Sequence, residues 1–315
     1  MALPGANLPT VTVTPPCPCC GGPGNDARPI SNARPQLFRS ACTFTVSRCR
    51  GCGALFTSPR LSDEGLRAWY DALQALPQTT ETLQRADSKS VSPLVRFLRC
   101  SERATPVARW MRGGPVLDLG CGQEQLLSEV ASQGFEAEGV EWDAAAVVIA
   151  RGRGEQADLR TFEPSPARYQ HIVLSNVLEH LPDPAGQLQR IAPGLGAVGT
   201  VLVAVPNAAS ALRFVFGRHW VGWDVPFHLT HFTPASMRAM ASLAGLCAAR
   251  TRTPGTAEEI RTSLNNALAT DRRMLARRVA FFPIARALGA LRLRSALVAE
   301  LEPTPPSGAE DEGRL

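Results

Sequence analysis

Four cysteines carry the first readable chemistry of this 315-residue chain. Cys17 and Cys20 form one C-x-x-C pair and Cys49 and Cys52 a second, with a glycine after each pair. Small-residue turns of this kind let two thiolates face one ion at about 2.3 Å. Two such turns complete a tetrahedral shell, so the spacing predicts a zinc ribbon. Cys19 is an alternative ligand beside Cys20. A four-sulfur shell leaves no open coordination position, so its role is structural or one of docking. Redox-active C-x-x-C pairs would need a thioredoxin-like βαβ context, which the surrounding residues lack. The nine cysteines sit in a long chain whose start has no basic-then-apolar segment. Reduced thiols in the cytoplasm are therefore expected rather than a disulfide scaffold.

A second cluster of chemistry lies between residues 218 and 234, R-H-W-V-G-W-D-V-P-F-H-L-T-H-F-T-P. It holds three of the five histidines, His219, His228 and His231. Histidine takes a proton from a nucleophile near neutral pH. His228 is the favoured base, with His231 and His180 as competitors, and Trp220 and Trp223 are read as walls for an acceptor. The bland alternative makes His228 and His231 hydrogen-bonded members of an ordered loop.

A third set is acidic and glycine-rich. Pro115–Leu127 reads P-V-L-D-L-G-C-G-Q-E-Q-L-L: a short buried strand, a glycine turn, and a helix start. Strands alternate with helices from here on. They are expected at 116–119, 135–141, 155–159, 170–175 and 198–205, with helices at 124–133, 144–151 and 184–193. That order predicts a parallel, doubly wound α/β sheet. Ligands bind such sheets at the strand carboxyl ends, where Asp118, Glu141, Asp158 and Asn176 fall. An acid about twenty residues past the glycines suits a ribose. The loop lacks the third glycine of G-x-G-x-x-G, and Asp118 would repel phosphates. A positively charged nucleoside is thus expected rather than a dinucleotide, which argues against a dinucleotide oxidoreductase.

These stretches resemble the class I S-adenosylmethionine-dependent methyltransferase family. Val116–Gly122 is similar to its first motif, Gly139-Val-Glu141 to its second, and Ala157-Asp158-Leu159 to its adenine-contacting motif. Val173–Asp183 is similar to its fourth strand and following loop, although His171 stands where the family usually has aspartate. The resemblance covers about residues 113–255. It implies a Rossmann-like doubly wound sheet of seven strands, the sixth at 246–253 and an antiparallel seventh at 295–301 beside the fifth, with a helix as the alternative there. It also implies that Asp118, Gly120 and Gly122 line the methionine end of the cofactor. Glu141 would hold the ribose, Trp142 and Asp158 the adenine region, and Asn176 the neighbourhood of the sulfonium. Glu179-His180 with His228 resembles a divalent-metal motif of some RNA-end and quinone methyltransferases, which have glutamate at the place of Asn176. The paired C-x-x-C turns, Phe56-x-x-Pro59 and Trp69-Tyr70 are similar to bacterial methyltransferases of sugars, glycans and secondary metabolites.

The expected organisation is a disordered start and zinc ribbon over 1–60, then a helical linker or lid over 61–112. A methyltransferase domain over 113–302 carries a helical insertion at 256–294, and 303–315 form a disordered tail. Within the insertion, 277–294 is basic and amphipathic, either packed on the core or facing a membrane surface or partner. No apolar run is long enough to span a membrane. The net charge of +5 permits acidic partners without requiring nucleic acid. The expected function is methyl transfer to a hydroxyl or amine of a sugar or small metabolite. An RNA methyltransferase that grips nucleic acid with its ribbon is the first rival, since five arginines and one acid lie between Cys17 and Cys52. A non-catalytic binding module on the same fold is the second.

Overall fold

The computed structural model describes residues 11–35, 42–74, 108, 110–122, 125–142, 154–156, 159, 161–254, 262–263, 266–267 and 295–304. Most of the helical stretch expected at 93–112, the helix expected at 144–151, Asp158, the 277–294 segment and the tail beyond 304 lie outside them.

Two sheets carry the fold, together with a two-stranded pairing of β1 (Thr12–Val13) with β5 (Arg60–Leu61). The N-terminal sheet contains β2 (Arg28–Ala33), β3 (Phe44–Arg48) and β4 (Leu55–Thr57), all antiparallel. Helix α1 (Asp63–Gln74) follows β5. Ser62 caps it by accepting from Gly65 N at 3.1 Å, which satisfies one of the amides that a helix start leaves open.

The main sheet has seven strands: β6 (Val116–Leu119), β7 (Ala137–Glu141), β8 (Gly154–Gln156), β9 (Tyr169–Ser175), β10 (Leu195–Pro206), β12 (Leu246–Arg252) and β13 (Ala296–Pro303). Their order is β12-β13-β10-β9-β6-β7-β8. The chain runs outward from β6 through β7 to β8, then returns to the other side of β6 as β9. The direction reverses between β6 and β9, and such a switch point opens a crevice at the strand carboxyl ends. Val116–Leu119, Ile172–Leu174 and Val201–Val205 are buried, as strands covered on both faces must be. Helices α2 (Gln125–Ser132), α3 (Pro184–Ile191) and α5 (Pro234–Leu243) accompany the sheet, and α4 (Ala211–Phe216) lies between β10 and α5.

Residues 296–303 form a strand rather than the helix held open above. β13 pairs antiparallel with both β10 and β12, and Leu297, Ala299 and Leu301 are buried. Helix α5 begins at Pro234, directly after the histidine-bearing connection. Thr233 is its cap, and Ser236 closes a capping box from the third position.

The N-terminal sheet does not end with the ribbon. Its fourth strand is β11 (Thr230–His231), which pairs antiparallel with β4. One hydrophobic cluster accordingly mixes Phe44, Leu55 and Trp69 with Leu212, Trp220 and Phe227. The histidine-bearing connection is thus packed against the ribbon and α1, which gives it a fixed position over the main sheet.

Candidate cofactor and catalytic site

A cavity of about 550 Å³ opens at the carboxyl ends of the main-sheet strands. Gly120, Glu141, Trp142 and Asn176 line it from the sheet side, and Leu66, Arg67 and Tyr70 of α1 line it from above. Gly120 takes a φ of +76°, and a Cβ there would collide with the Val177 side chain. Only glycine keeps both the turn and the space. Gly122 has a φ of +52° and does not line the cavity; its amide donates to Glu141 Oε2 at 2.9 Å. Glu141 Oε1 accepts from Trp142 N at 2.8 Å. Glu141 therefore pins the glycine turn from the end of β7, with its carboxylate at the cavity wall.

Asp118 stands one layer behind the position expected of it. It is buried in β6 and does not line the cavity. Its Oδ1 has no hydrogen-bond partner, and burial, with a smaller contribution from Glu141, pushes its carboxyl up to about 7. Asn176 lines the cavity from the end of β9 with a φ of +55°. Trp142 is 39% exposed and meets Tyr70 edge-on at 5.6 Å, so an apolar face stands beside the acids. An orphaned buried carboxylate oxygen, a floor where a Cβ would intrude, and an accessible indole fit a cationic nucleoside such as S-adenosylmethionine.

A second set of polar groups adjoins this cavity. Ligand atoms of Glu179, His180 and His228 lie within 4.8 Å of one another. His180 lines the cavity, and its Nδ1 is 3.0 Å from Tyr70 Oη. Burial, then the His228 charge, holds His180 well below the usual histidine range. His228 sits behind it, ring to ring at 4.7 Å. Its Nδ1–H donates to the Gly222 carbonyl at 3.0 Å, which leaves Nε2 facing Asp224 at 3.8 Å and Glu179 at 4.0 Å. Both Glu179 oxygens are buried without a hydrogen-bond partner. Burial raises Glu179 to about 7 against the opposing pull of His228.

In the ribbon, Cys17 Sγ lies 3.6 Å from Cys52 Sγ, and Cys20 Sγ lies 3.6 Å from Cys49 Sγ. Tetrahedral bonds of about 2.3 Å place sulfurs about 3.8 Å apart. Backbone amides also point at the sulfurs: Cys19 and Cys20 at Cys17, Gly22 at Cys20, Gly51 and Cys52 at Cys49, and Ala54 at Cys52. Burial pushes the Cys49 thiol up, yet these amides and the Cys20 thiol bring it down to about 7. Four sulfurs so close cannot all ionise without a cation, so the cluster fits zinc. Cys19 is buried outside the set of four.

Comparison with known proteins agrees with this geometry. Residues 93–248 match the family model described as a methyltransferase domain. This segment belongs to that family. A ubiquinone biosynthesis O-methyltransferase of Aeromonas salmonicida is 29% identical over 150 residues, covering 42% of this chain and 63% of that protein. The corresponding enzyme of Thiobacillus denitrificans is 29% identical over 166 residues, covering 47% and 69%. This chain thus spans about five-eighths of the Aeromonas relative. Among solved structures, phospholethanolamine N-methyltransferase 2 of Haemonchus contortus has the same fold. Its TM-score is 0.51 at 14% identity, over 79% of this chain and 62% of that one.

Several expected roles change once the methyltransferase domain is seen beside the ribbon. His231 does not reach the cavity. The Thr57 hydroxyl donates to the His228 carbonyl at 2.7 Å, so His231 Nε2–H must donate to Thr57 at 3.1 Å. Burial, then the His228 charge, keeps His231 neutral. Its place is a clasp between ribbon and domain, one that also sets the backbone of His228. Trp220 and Trp223 are core residues packed edge to face at 4.9 Å, and neither lines this cavity. Tyr70 and Arg67 are wall residues that sequence reasoning passed over. The signal was the Trp69-Tyr70 pair. Neighbours on a helix point about 100° apart, so with Trp69 in the core Tyr70 must face elsewhere.

Proposed function

We propose that this chain is an S-adenosylmethionine-dependent methyltransferase acting on a hydroxyl, or an amine, of a sugar or small metabolite. The observation that carries this reading is one cavity in which Gly120, Glu141 and Asn176 face Tyr70 and His180. The bound cofactor supplies a methyl group already activated on a sulfonium. The chain's own contribution is alignment, since holding nucleophile and methyl in line removes much of the barrier. Glu141 and the glycine turn hold the nucleoside, and α1 closes the cavity over it. A neutral His180 at the wall meets the acceptor proton, and His228 behind it, flanked by Asp224 and Glu179, supports positive charge as it forms. The curated relatives are named O-methyltransferases, which supports an oxygen acceptor.

A divalent cation is the second reading, favoured by the orphaned oxygens of Glu179 beside two imidazoles. Glu179, His180 and His228 would hold it, and it would lower the pKa of an acceptor hydroxyl. Calorimetry with S-adenosylmethionine tests the first reading: Glu141→Ala should weaken binding at least tenfold, and an unchanged affinity would refute the site. Turnover of candidate sugars and phenols, followed as S-adenosylhomocysteine with and without chelator, separates the two. Full turnover in chelator removes the cation, and loss restored by Mg2+ or Mn2+ removes the metal-free base.

A further inference from the structure

A second cleft, of about 600 Å³, lies between the ribbon and α4 and shares no lining residue with the cofactor cavity. Arg28 of β2 and Arg48 of β3 reach it from the ribbon, and Arg213 and Phe214 of α4 from the other side, over Trp223. We propose that this cleft binds the phosphate or diphosphate group of a small phosphorylated ligand. Three guanidinium groups converge here, and none forms an ion pair among the described residues. Arg213 is the most committed of them. Its guanidinium carbon lies 4.3 Å from the Phe214 ring centre and 6.0 Å from that of Trp223. Stacking fixes the plane of the fork without using its N–H groups, and Nε is buried with no acceptor. Burial and the nearby Arg48 charge both lower its pKa, so the fold carries a cation without compensation. An incoming anion supplies that compensation, and phosphate oxygens match the arginine fork two at a time.

The shape favours a small molecule over a polymer. A nucleic-acid track needs a basic groove with successive stacking platforms. Here the positive charge is gathered in one cleft beside Ile30 and Phe214, the latter 74% exposed, which suits a ligand with an apolar or planar portion next to its phosphate. Trp223 also connects the cleft to the clasp described above, since its ring meets His231 edge-on at 4.9 Å.

The test is titration of the full-length, zinc-loaded protein with inorganic pyrophosphate by calorimetry. Saturable binding is expected, weakened at least tenfold in Arg48→Gln and in Arg213→Gln. Arg48 is exposed, so its substitution leaves folding intact, and unchanged melting temperatures verify this for both. Arg67→Gln, which alters the other cavity, should leave pyrophosphate affinity unchanged. Three results overturn the proposal: no saturable binding, equal affinity in the Arg48 and Arg213 variants, or loss only in Arg67→Gln. A single-stranded RNA 10-mer that binds tenfold more tightly than pyrophosphate, with a steep salt dependence, would assign the cleft to nucleic acid instead.

Discussion

Replacing Asp118 with asparagine should stabilise the free protein at pH 8 and leave it unchanged near pH 4. The Asp118 carboxyl is buried, with Oδ1 unpartnered and its pKa raised from 3.8 to about 7. In the unfolded chain it loses its proton near 3.8, whereas in the folded chain it keeps it to about 7. Unfolding between these values releases a proton, so rising pH favours unfolding. The contribution of this group is most favourable below about pH 4 and is lost progressively towards pH 7. The full ionisation penalty corresponds to roughly 4 kcal/mol as an upper bound. Asparagine cannot ionise and nearly matches the acid in shape. Thermal melts should therefore show a gain of a few degrees in Asp118→Asn at pH 8 and almost none at pH 4. The same group should couple proton release to cofactor binding. If a cationic ligand restores the ionised carboxylate, calorimetry at pH 7 in buffers of different ionisation enthalpy should report about half a proton released per site. That release should vanish in the variant, with affinity at least tenfold weaker. A melting shift of equal size at both pH values would refute the reasoning, because it would show that charge in a buried site is not the cause.

Other outcomes follow from the same geometry. Cys17→Ser should lose zinc by elemental analysis and lower the melting temperature by several degrees, and full zinc retention would remove Cys17 from the ligand set. His228→Ala should reduce kcat at least a hundredfold with little change in cofactor affinity, whereas near-full turnover would exclude it from the reaction. Tyr70→Phe deletes the 3.0 Å contact with His180 and should cost about 1 kcal/mol, read as a several-fold drop in kcat/KM with the melting temperature almost unchanged. Thr57→Val leaves the buried His231 Nε2–H and the His228 carbonyl unsatisfied. It should destabilise the fold by roughly 2–4 kcal/mol in denaturant melts, and a neutral result would remove the clasp.

The local chemistry of this chain is written in its sequence. C-x-x-C turns bring two sulfurs together within four residues, and the second pair repeats the arrangement. The glycine turn after Val116–Leu119 follows from φ values that only glycine adopts freely, and the alternation of apolar runs with helices determines the parallel part of the sheet, from β6 to β10. Glu141 could be placed beside the glycines because both ends of one βαβ unit return to the same edge. Which histidine meets the cavity was not local. His180, His228 and His231 have the same side chain and similar neighbours in sequence. They differ only because β11 joins the ribbon sheet, which turns His231 to Thr57, sets His228 against Glu179 and Asp224, and leaves His180 at the cavity wall. Trp220 and Trp223 became core for the same reason: the connection that carries them is covered by the ribbon and α1. Asp118 lies on a four-residue strand buried on both faces, so its depth and raised pKa come from the strands packed beside it. Turn chemistry and periodicity act over a few residues and can be read from sequence. Burial and the meeting of charges distant in sequence arise only when the two sheets are assembled, and those two quantities decide the acid–base chemistry here.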